Sequence, residues 1–194
     1  MTALWIVLGI VVLLLLVGVA MYNRFVSQRQ GIRDAYANID TELRRRYDLI
    51  PNLVETVKGY ASHERETFDR VTQARAAAIQ AQGPAQQAQA ENMLTQALRG
   101  LFAVAEAYPQ LRASENFQAL QTELSGTENR IQGVRQTYND NVRQYNERVQ
   151  SVPSNIIASM FGFRLEEFFE IEETQRETVE QAPRVDFGSQ PPAS

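Results

Sequence analysis

The stretch that decides the fold is RRRYDLIPNLVETVKGYASHE, residues 44–64, which places a proline inside a segment with a helical pattern. Such a pattern of apolar residues, three to four apart, is typical of an amphipathic helix that packs against a partner helix. A loop at Pro51 would shift its phase, so the pattern predicts one bent helix rather than two helices joined by a tight turn. The stripe is in phase on both sides of the proline, at Tyr36, Leu43, Ile50 and Val57.

The proline has a local cost that neighbouring side chains can offset. Pro51 has no N–H group and its ring crowds the carbonyl of Tyr47, which costs about 3 kcal/mol in an isolated helix. Burial of each leucine, isoleucine or valine contributes roughly 1.5–3 kcal/mol, so the stripe can outweigh this cost. We expect Asp48 or Asn52 to satisfy backbone groups freed around Pro51.

The first helix is expected to continue well beyond the quoted stretch. Companion apolar positions extend its stripe at Ile32, Ile39, Leu53, Tyr60, Phe68, Val71 and Ile79. Gly83 and Pro84 then end the element, since glycine suits a helix end and proline a helix start. A second helix ends at Pro109 and has one apolar face, formed by Leu94, Leu98, Leu101, Ala105 and Tyr108.

The third helix has the most regular pattern, a series with seven-residue spacing at Phe117, Leu124, Ile131, Tyr138, Tyr145 and Val152. Leu120 and Val134 occupy companion positions, as does Asn141, whose amide can fix the register if it is buried. Pro153 closes this helix. Three long amphipathic helices with short connections predict an all-α, antiparallel up-and-down bundle over residues 24–152, with a shorter C-terminal helix.

The segment NIIASMFGF, residues 155–163, is apolar but too short to span a membrane. We expect it to cap the bundle end; the alternative is an interfacial segment, which would normally bring more Lys and Arg. Residues 153–182 therefore form a capping and acidic segment, and residues 183–194 are predicted to be a disordered tail.

The N-terminal run of residues 3–22 carries no charged side chain. A helix of this length covers about 30 Å, the thickness of a bilayer core. The run is centred on Leu13, Leu14, Leu15 and Leu16, with Trp5 and Tyr22 near its ends, where aromatic rings settle at headgroups. The rival interpretation is a signal peptide cleaved after residues 18–20, but the run is long and no basic residue precedes it.

Three arginines closely follow the span, Arg24, Arg29 and Arg33, whereas none precedes it. The positive-inside rule therefore predicts a single span with its N-terminus outside and its domain in the cytoplasm.

The amino-acid composition limits the classes of functional site that the chain can form. The chain has 194 residues, no cysteine, one histidine and a net charge of -4, which excludes disulfides and gives no sign of nucleic-acid binding. His63 cannot build a two-histidine metal site, and the acidic residue that a di-iron Glu-x-x-His motif needs is replaced by Tyr60. We therefore predict no catalytic, metal or cofactor residues. A faint likeness of SHERETF to a histidine-kinase phosphoacceptor box lacks any nucleotide-binding segment.

The arginine triplet allows two interpretations. Residues 44–46 point in different directions on a helix, and the simpler view is a solvated face paired with nearby acids. A partner-binding patch at Arg44 and Arg46 is the alternative.

Two separated motifs carry a family resemblance. Residues 44–64 and YNDNVRQYNERVQSVPSNIIASMFGF, residues 138–163, resemble the LemA family of bacterial membrane proteins. The resemblance implies a single-pass anchor in a bacterial inner (cytoplasmic) membrane and a cytoplasmic helical bundle of the up-and-down, four-helix type. It implies no reaction, and one branch of the family is associated with magnetosome membranes. It identifies as signature residues Arg45, Asp48, Pro51, Asn52, Gly59, Tyr145, Asn146 and Pro153.

Two functions remain open at this point. The first is a membrane-anchored scaffold that contacts the bilayer through residues 3–22 and binds protein partners or copies of itself. The second is a small-molecule-binding or enzymatic helical bundle. The lack of a recognisable nucleophile, metal-ligand set or phosphate loop favours the scaffold.

Overall fold

The computed structural model describes residues 1–169, and within this range the chain is helical and contains no strand. The all-α prediction is confirmed. The acidic residues beyond Phe169 and the predicted disordered tail at 183–194 lie outside the described residues. The helices are α1 (Thr2–Lys58), α2 (Arg65–Gln80), α3 (Pro84–Glu106), α4 (Pro109–Arg112), α5 (Glu115–Gln150) and α6 (Ser154–Phe161).

Helix α1 continues through Pro51, as the in-phase stripe predicts. The apolar positions on both sides of the proline face the core, and those fully or nearly fully buried include Ile39, Leu43, Ile50, Leu53 and Val57. Burial of these side chains offsets the local cost of the proline.

The expectation that this helix reaches Ile79 is wrong. Helix α1 ends at Lys58, and residues 59–64 form a turn before α2 begins. Tyr60 and Ile79, assigned to the apolar stripe, are exposed instead. The chain reverses because α2 buries its own face, including Phe68 and Val71, by packing back along the bundle.

The reversal makes α2 antiparallel to α1. The Lys58 ammonium lies 5.9 Å from the Phe68 ring near the turn, and Arg75 further along α2 bonds to Tyr47, earlier on α1. Gly83 then turns the chain with φ of 79°, a conformation that glycine adopts without strain, and Pro84 begins α3.

Helices α1, α2, α3 and α5 therefore form an up-down-up-down bundle at the end far from the N-terminal run. Phe102 of α3 contacts Phe117 at the start of α5, with ring centroids 6.2 Å apart. Antiparallel packing of α5 on α1 is marked by Arg130 and Glu42, whose Nε and Oε2 atoms are 2.9 Å apart.

Towards the N-terminal run, the long helices α1 and α5 continue as a pair. Tyr36 contacts Tyr138, and Phe25 contacts Tyr145 edge-on with centroids 6.0 Å apart. Asn141 donates to the carbonyl oxygen of Gly31 at 3.2 Å, so this half-buried amide does tie the two helices in register. Val152, placed in the buried series by its spacing, is exposed because α5 ends at Gln150.

Beyond α6 the chain reverses at Gly162, whose φ is 71°, and residues 163–169 return along α5 in extended form. We call this segment the strap. The Asn146 side chain donates to the carbonyl of Glu166 and accepts from its N–H, both at 2.9 Å. Asn139 likewise accepts from the Phe169 N–H at 2.8 Å.

The two asparagines have a spacing that suits an extended segment. Seven helical residues rise about 10.5 Å, and three extended residues cover roughly 10 Å. Asn139 and Asn146 therefore meet backbone groups three residues apart on the strap. The strap buries Phe169 completely and stacks Phe163 on Phe25, with centroids 4.8 Å apart.

Candidate functional site

The arginine triplet divides between surface and core. Arg44 is exposed and pairs with Asp40 on its own helix at 2.9 Å. Arg45 is exposed and pairs with Glu123 of α5. Arg46, predicted as a possible partner contact, is only 5% exposed and points into the bundle. That prediction is corrected, because the helical twist turns this member of the triplet inward.

Arg46 anchors a polar cluster between three helices. Its Nη1 atom is 2.9 Å from Glu91 Oε2 of α3 and 3.2 Å from Glu128 Oε2 of α5, and its Nη2 donates to Thr95 at 2.8 Å. A buried arginine needs such partners, because an uncompensated charge in the interior is strongly destabilising. The cluster therefore fixes how α1, α3 and α5 meet.

Tyr47 and Gln87 complete the cluster around Glu91. The Tyr47 hydroxyl donates to the Glu91 carboxylate, and Gln87 Nε2 donates to the Tyr47 hydroxyl at 2.9 Å and to the Ala78 carbonyl at 3.0 Å. Burial raises the pKa of Glu91, and the hydrogen bond from Tyr47 and the charge of Arg46 offset only part of that effect. Burial and the neighbouring Glu91 also raise the pKa of Tyr47.

The sequence interpretation missed this cluster. Glu91 lies three residues before Leu94 and seven before Leu98, on the apolar face of its helix, which is where an acidic residue signals a buried pair. Its polar groups bond to one another, so the cluster stabilises a specific packing of the helices.

The hydrogen bond that Pro51 cannot donate is replaced by one from a side chain on another helix. The carbonyl of Tyr47, four residues earlier, would accept from residue 51 in a regular helix, and proline has no N–H to give. Arg75 of α2 supplies the donor, with its Nε 2.8 Å from the Tyr47 oxygen. The prediction that Asp48 or Asn52 serves this purpose is wrong, since both side chains point to the surface.

Asp48 and Asn52 instead line an open surface groove on α1. The two side chains make no hydrogen bond or ion pair with any part of residues 1–169. The groove is lined by Ala37, Asp40, Thr41, Arg44, Arg45, Asp48, Leu49 and Asn52. Asp40, Arg44 and Asp48 follow one another at four-residue intervals, so this face presents alternating charge along the helix.

The other signature residues have structural positions. Gly59 caps the C-terminal end of α1, and Pro153 precedes α6. Tyr145 is fully buried against Phe25, and Asn146 holds the strap. The repeated Tyr-Asn pair thus combines a core aromatic ring with an amide that binds extended backbone.

His63 is exposed in the turn between α1 and α2. Across residues 1–169, no group of three or more His, Cys, Asp or Glu side chains is arranged to hold a metal ion.

The described part of the chain contains one helix long and apolar enough to cross a membrane, α1. Within residues 1–169, almost all side chains of its N-terminal part are exposed. The exposed side chains of this run include Trp5, Leu13, Leu14, Leu15 and Leu16, while Tyr22 at its end meets Phe161 with centroids 4.9 Å apart.

Comparison with known proteins agrees with the motifs. Magnetosome protein MamQ 2 of Paramagnetospirillum magneticum is 26% identical over 176 residues, covering 77% of this chain. Magnetosome protein MamQ of Magnetospirillum gryphiswaldense is 25% identical over 175 residues. The chain spans 64% of the length of both relatives. Protein LemA of Metamycoplasma hominis is 24% identical over 162 residues, covering 81% of this chain and 73% of that protein.

The sequence model of the LemA family matches residues 35–187, from the middle of α1 to beyond the strap. This range contains the buried cluster, the Pro51 region and both Tyr-Asn pairs. The chain belongs to the LemA family.

Proposed function

We propose that this chain is a membrane-anchored scaffold whose exposed α1 groove binds a protein partner. Residues 3–22 hold it in the bilayer, and the bundle presents the groove away from the membrane. Residues 23–58 of α1 extend about 54 Å from the end of the span. A groove centred on Asp48 lies well beyond the headgroups in this arrangement.

The observation that carries the proposal is the position of Asp48 and Asn52. The family resemblance identifies both as signature residues, yet neither stabilises the fold through a hydrogen bond or ion pair within the described chain. Their neighbours Arg46 and Pro51 have evident internal roles. Polar groups that the fold does not use are available to a partner.

A second copy of this chain is the partner that the charge pattern fits best. Copies anchored in one membrane share a direction, so their α1 helices meet side by side and parallel. Without any axial shift, the long side chain of Arg44 on one copy can reach diagonally to Asp48, one helical turn further along, on the other. The MamQ relatives are named as magnetosome proteins, which accords with an organising role at a membrane.

The small-molecule alternative has less support. The grooves that the structure describes are open to the surface, and the buried polar cluster bonds within itself. Binding sites for small molecules are usually enclosed and largely apolar.

The test is site-specific photo-crosslinking of the full chain in its membrane. A photoreactive residue replacing Asn52, which lines the groove beside Asp48, should give a crosslinked product. One replacing Asp69, exposed on α2, is the matched control. In the protein labelled at position 52, Arg44→Glu and Asp48→Arg should each weaken the product, and the two together should restore it if the partner is a second copy. Equal crosslinking from positions 52 and 69, or none from position 52, would contradict the proposal.

Histidine chemistry gives an independent check. His63→Ala should leave function intact, because the exposed imidazole lies in a turn and has no metal-binding neighbours among residues 1–169. Loss of function in a normally folded His63→Ala variant would instead point to a chemical role near this turn.

We also propose that the bundle lies in the cytoplasm of a bacterial cell and the N-terminus outside, from the arginines that follow the span. The chain has no cysteine, so Ser62→Cys introduces a single reporter in the far turn. A membrane-impermeant maleimide should label it only after lysis. Labelling in intact cells would reverse the orientation.

A further inference from the structure

The most apolar exposed surface outside the N-terminal run lies on α6 and the turn before it. Val152, Ile156, Met160 and Phe161 are 79%, 58%, 69% and 55% exposed. Ile156 and Met160 lie one turn apart on the same face of α6, and Val152 lies in the turn before the helix, while Ser154 and Ala158 face the bundle. We call Val152, Ile156 and Met160 the stripe. No charged residue occurs within α6.

Contacts with α1 set the depth of this stripe. A methyl group added at Gly18 would lie 3.8 Å from Cδ1 of Ile157, so α6 packs beside Gly18. Gly18 lies inside the uncharged run, four residues or about 6 Å before Tyr22. Tyr22 contacts both Phe161 and Phe163, with centroids 4.9 and 5.6 Å away.

The position of α5 relative to α1 gives the same depth for α6. Tyr145 meets Phe25, and the five further residues to Gln150 carry α5 about 7.5 Å towards the membrane-spanning run. The turn at Val152 therefore lies level with residues that precede Tyr22. Two independent contacts thus place α6 beside the part of α1 that is long and apolar enough to cross a bilayer.

We propose that α6 and the Val152 turn insert into the same lipid leaflet as the adjacent end of the span, with the stripe in contact with acyl chains. Interfacial helices are typically buried about 5–10 Å into a membrane, which matches the depth of Gly18. The occupant of the stripe is lipid because the apolar surface of the span continues directly into it. The proposal takes up the interfacial alternative for residues 155–163, and it rests on retention of the anchor rather than on the proposed α1 groove.

Two arginines lie where headgroups would be. Arg24 follows Tyr22 closely, and Arg148 lies in the last turn of α5. Arg148 Nε has no hydrogen-bond partner among residues 1–169, and burial together with the charge of Arg24 lowers the pKa of Arg148. Neither arginine forms a salt bridge with an acidic residue among residues 1–169, and two such cations just above an inserted helix suit the phosphate layer of a membrane.

Bromine quenching of tryptophan fluorescence tests the depth. Trp5 is the only tryptophan, so Trp5→Phe gives a full-length background without emission. Ile156→Trp and Met160→Trp are introduced singly, and the protein is reconstituted at low density into phosphatidylcholine vesicles with or without brominated acyl chains. Val19→Trp marks the span and Tyr60→Trp marks the far turn.

Ile156→Trp and Met160→Trp should lose as large a fraction of their emission as Val19→Trp, and Tyr60→Trp should lose none. Both sites are exposed, so the substitutions leave the core intact. Emission that survives at both α6 positions while Val19→Trp is quenched would overturn the proposal and favour a protein cover. Unquenched Val19→Trp would overturn it as well, since the span would then lie outside lipid.

Discussion

Replacing Arg75 with methionine should destabilise the bundle through a carbonyl on a different helix. The Arg75 Nε atom donates to the Tyr47 oxygen at 2.8 Å, in place of the N–H that Pro51 lacks. A hydrogen bond from a charged donor is worth about 1.5–3 kcal/mol, and the half-buried carbonyl has no replacement within its own helix. Arg75→Met retains much of the aliphatic stem, so the loss should arise from the hydrogen bond.

The background variant Pro51→Ala makes the prediction specific. Alanine restores an N–H that can reach the Tyr47 carbonyl, so Arg75→Met should cost no more than about 0.5 kcal/mol there, as for an ordinary surface change. The coupling free energy between the two sites should then be at least about 1 kcal/mol. Arg70→Met, on the same helix and bonded only to Thr67, is the matched control.

The assay is urea unfolding of the detergent-solubilised full chain, followed by far-ultraviolet circular dichroism. All four variants of the cycle are compared at one detergent concentration. An equal loss from Arg75→Met in both backgrounds would refute the reasoning, because the cost would then be unrelated to the missing N–H of Pro51.

Three further predictions concern the strap, the buried cluster and the anchor. Asn146→Ala removes two hydrogen bonds to Glu166, so trypsin should cleave the strap faster than in Asn129→Ala, an exposed control; equal rates would exclude a clamping role. Burial raises the pKa of Glu91 above 4.5, so the protonated Glu91 carboxyl is favoured more in the native state than in the unfolded state. The free energy of unfolding should therefore fall as pH rises through the raised pKa. Glu91→Gln should flatten that slope, and an unchanged slope would assign it to another group. After a carbonate wash the chain should stay in the membrane pellet with residues 3–22 present; a mature N-terminus at residue 21 would show cleavage instead.

The helical class and most of the core followed from spacing alone. Seven-residue series found the buried faces of α1 and α5 because a helix must present one stripe to its partner. Because this regular spacing continues across residues 59–64, the turn there could not be predicted from it. Phe68 and Val71 stay close enough to the phase of α1 that periodicity could not separate two antiparallel helices from one long one.

The polar contacts were harder to predict because they depend on tertiary packing. Which helix supplies the donor for the Tyr47 carbonyl is set by the reversal of α2, and no local pattern encodes it. In the sequence, Arg46 is one member of an arginine triplet with nothing to distinguish it. In the structure it is buried because Glu91 and Glu128, on two other helices, form ion pairs with it. Spacing constrains the neighbours along a helix, whereas the partners across the bundle depend on topology.

The strap carries the chain along α5 and away from the N-terminal apolar run. Phe169 is held beside Asn139, and Asn141 nearby bonds to Gly31, nine residues or roughly 14 Å beyond Tyr22. The Debye length at physiological ionic strength is about 8 Å. Under the proposed insertion of α6, Phe169 therefore lies beyond the electrostatic reach of an anionic membrane surface, only eight residues after the end of a helix in lipid. A strap that ran in the opposite direction would carry Glu166 and Glu167 into the headgroup layer.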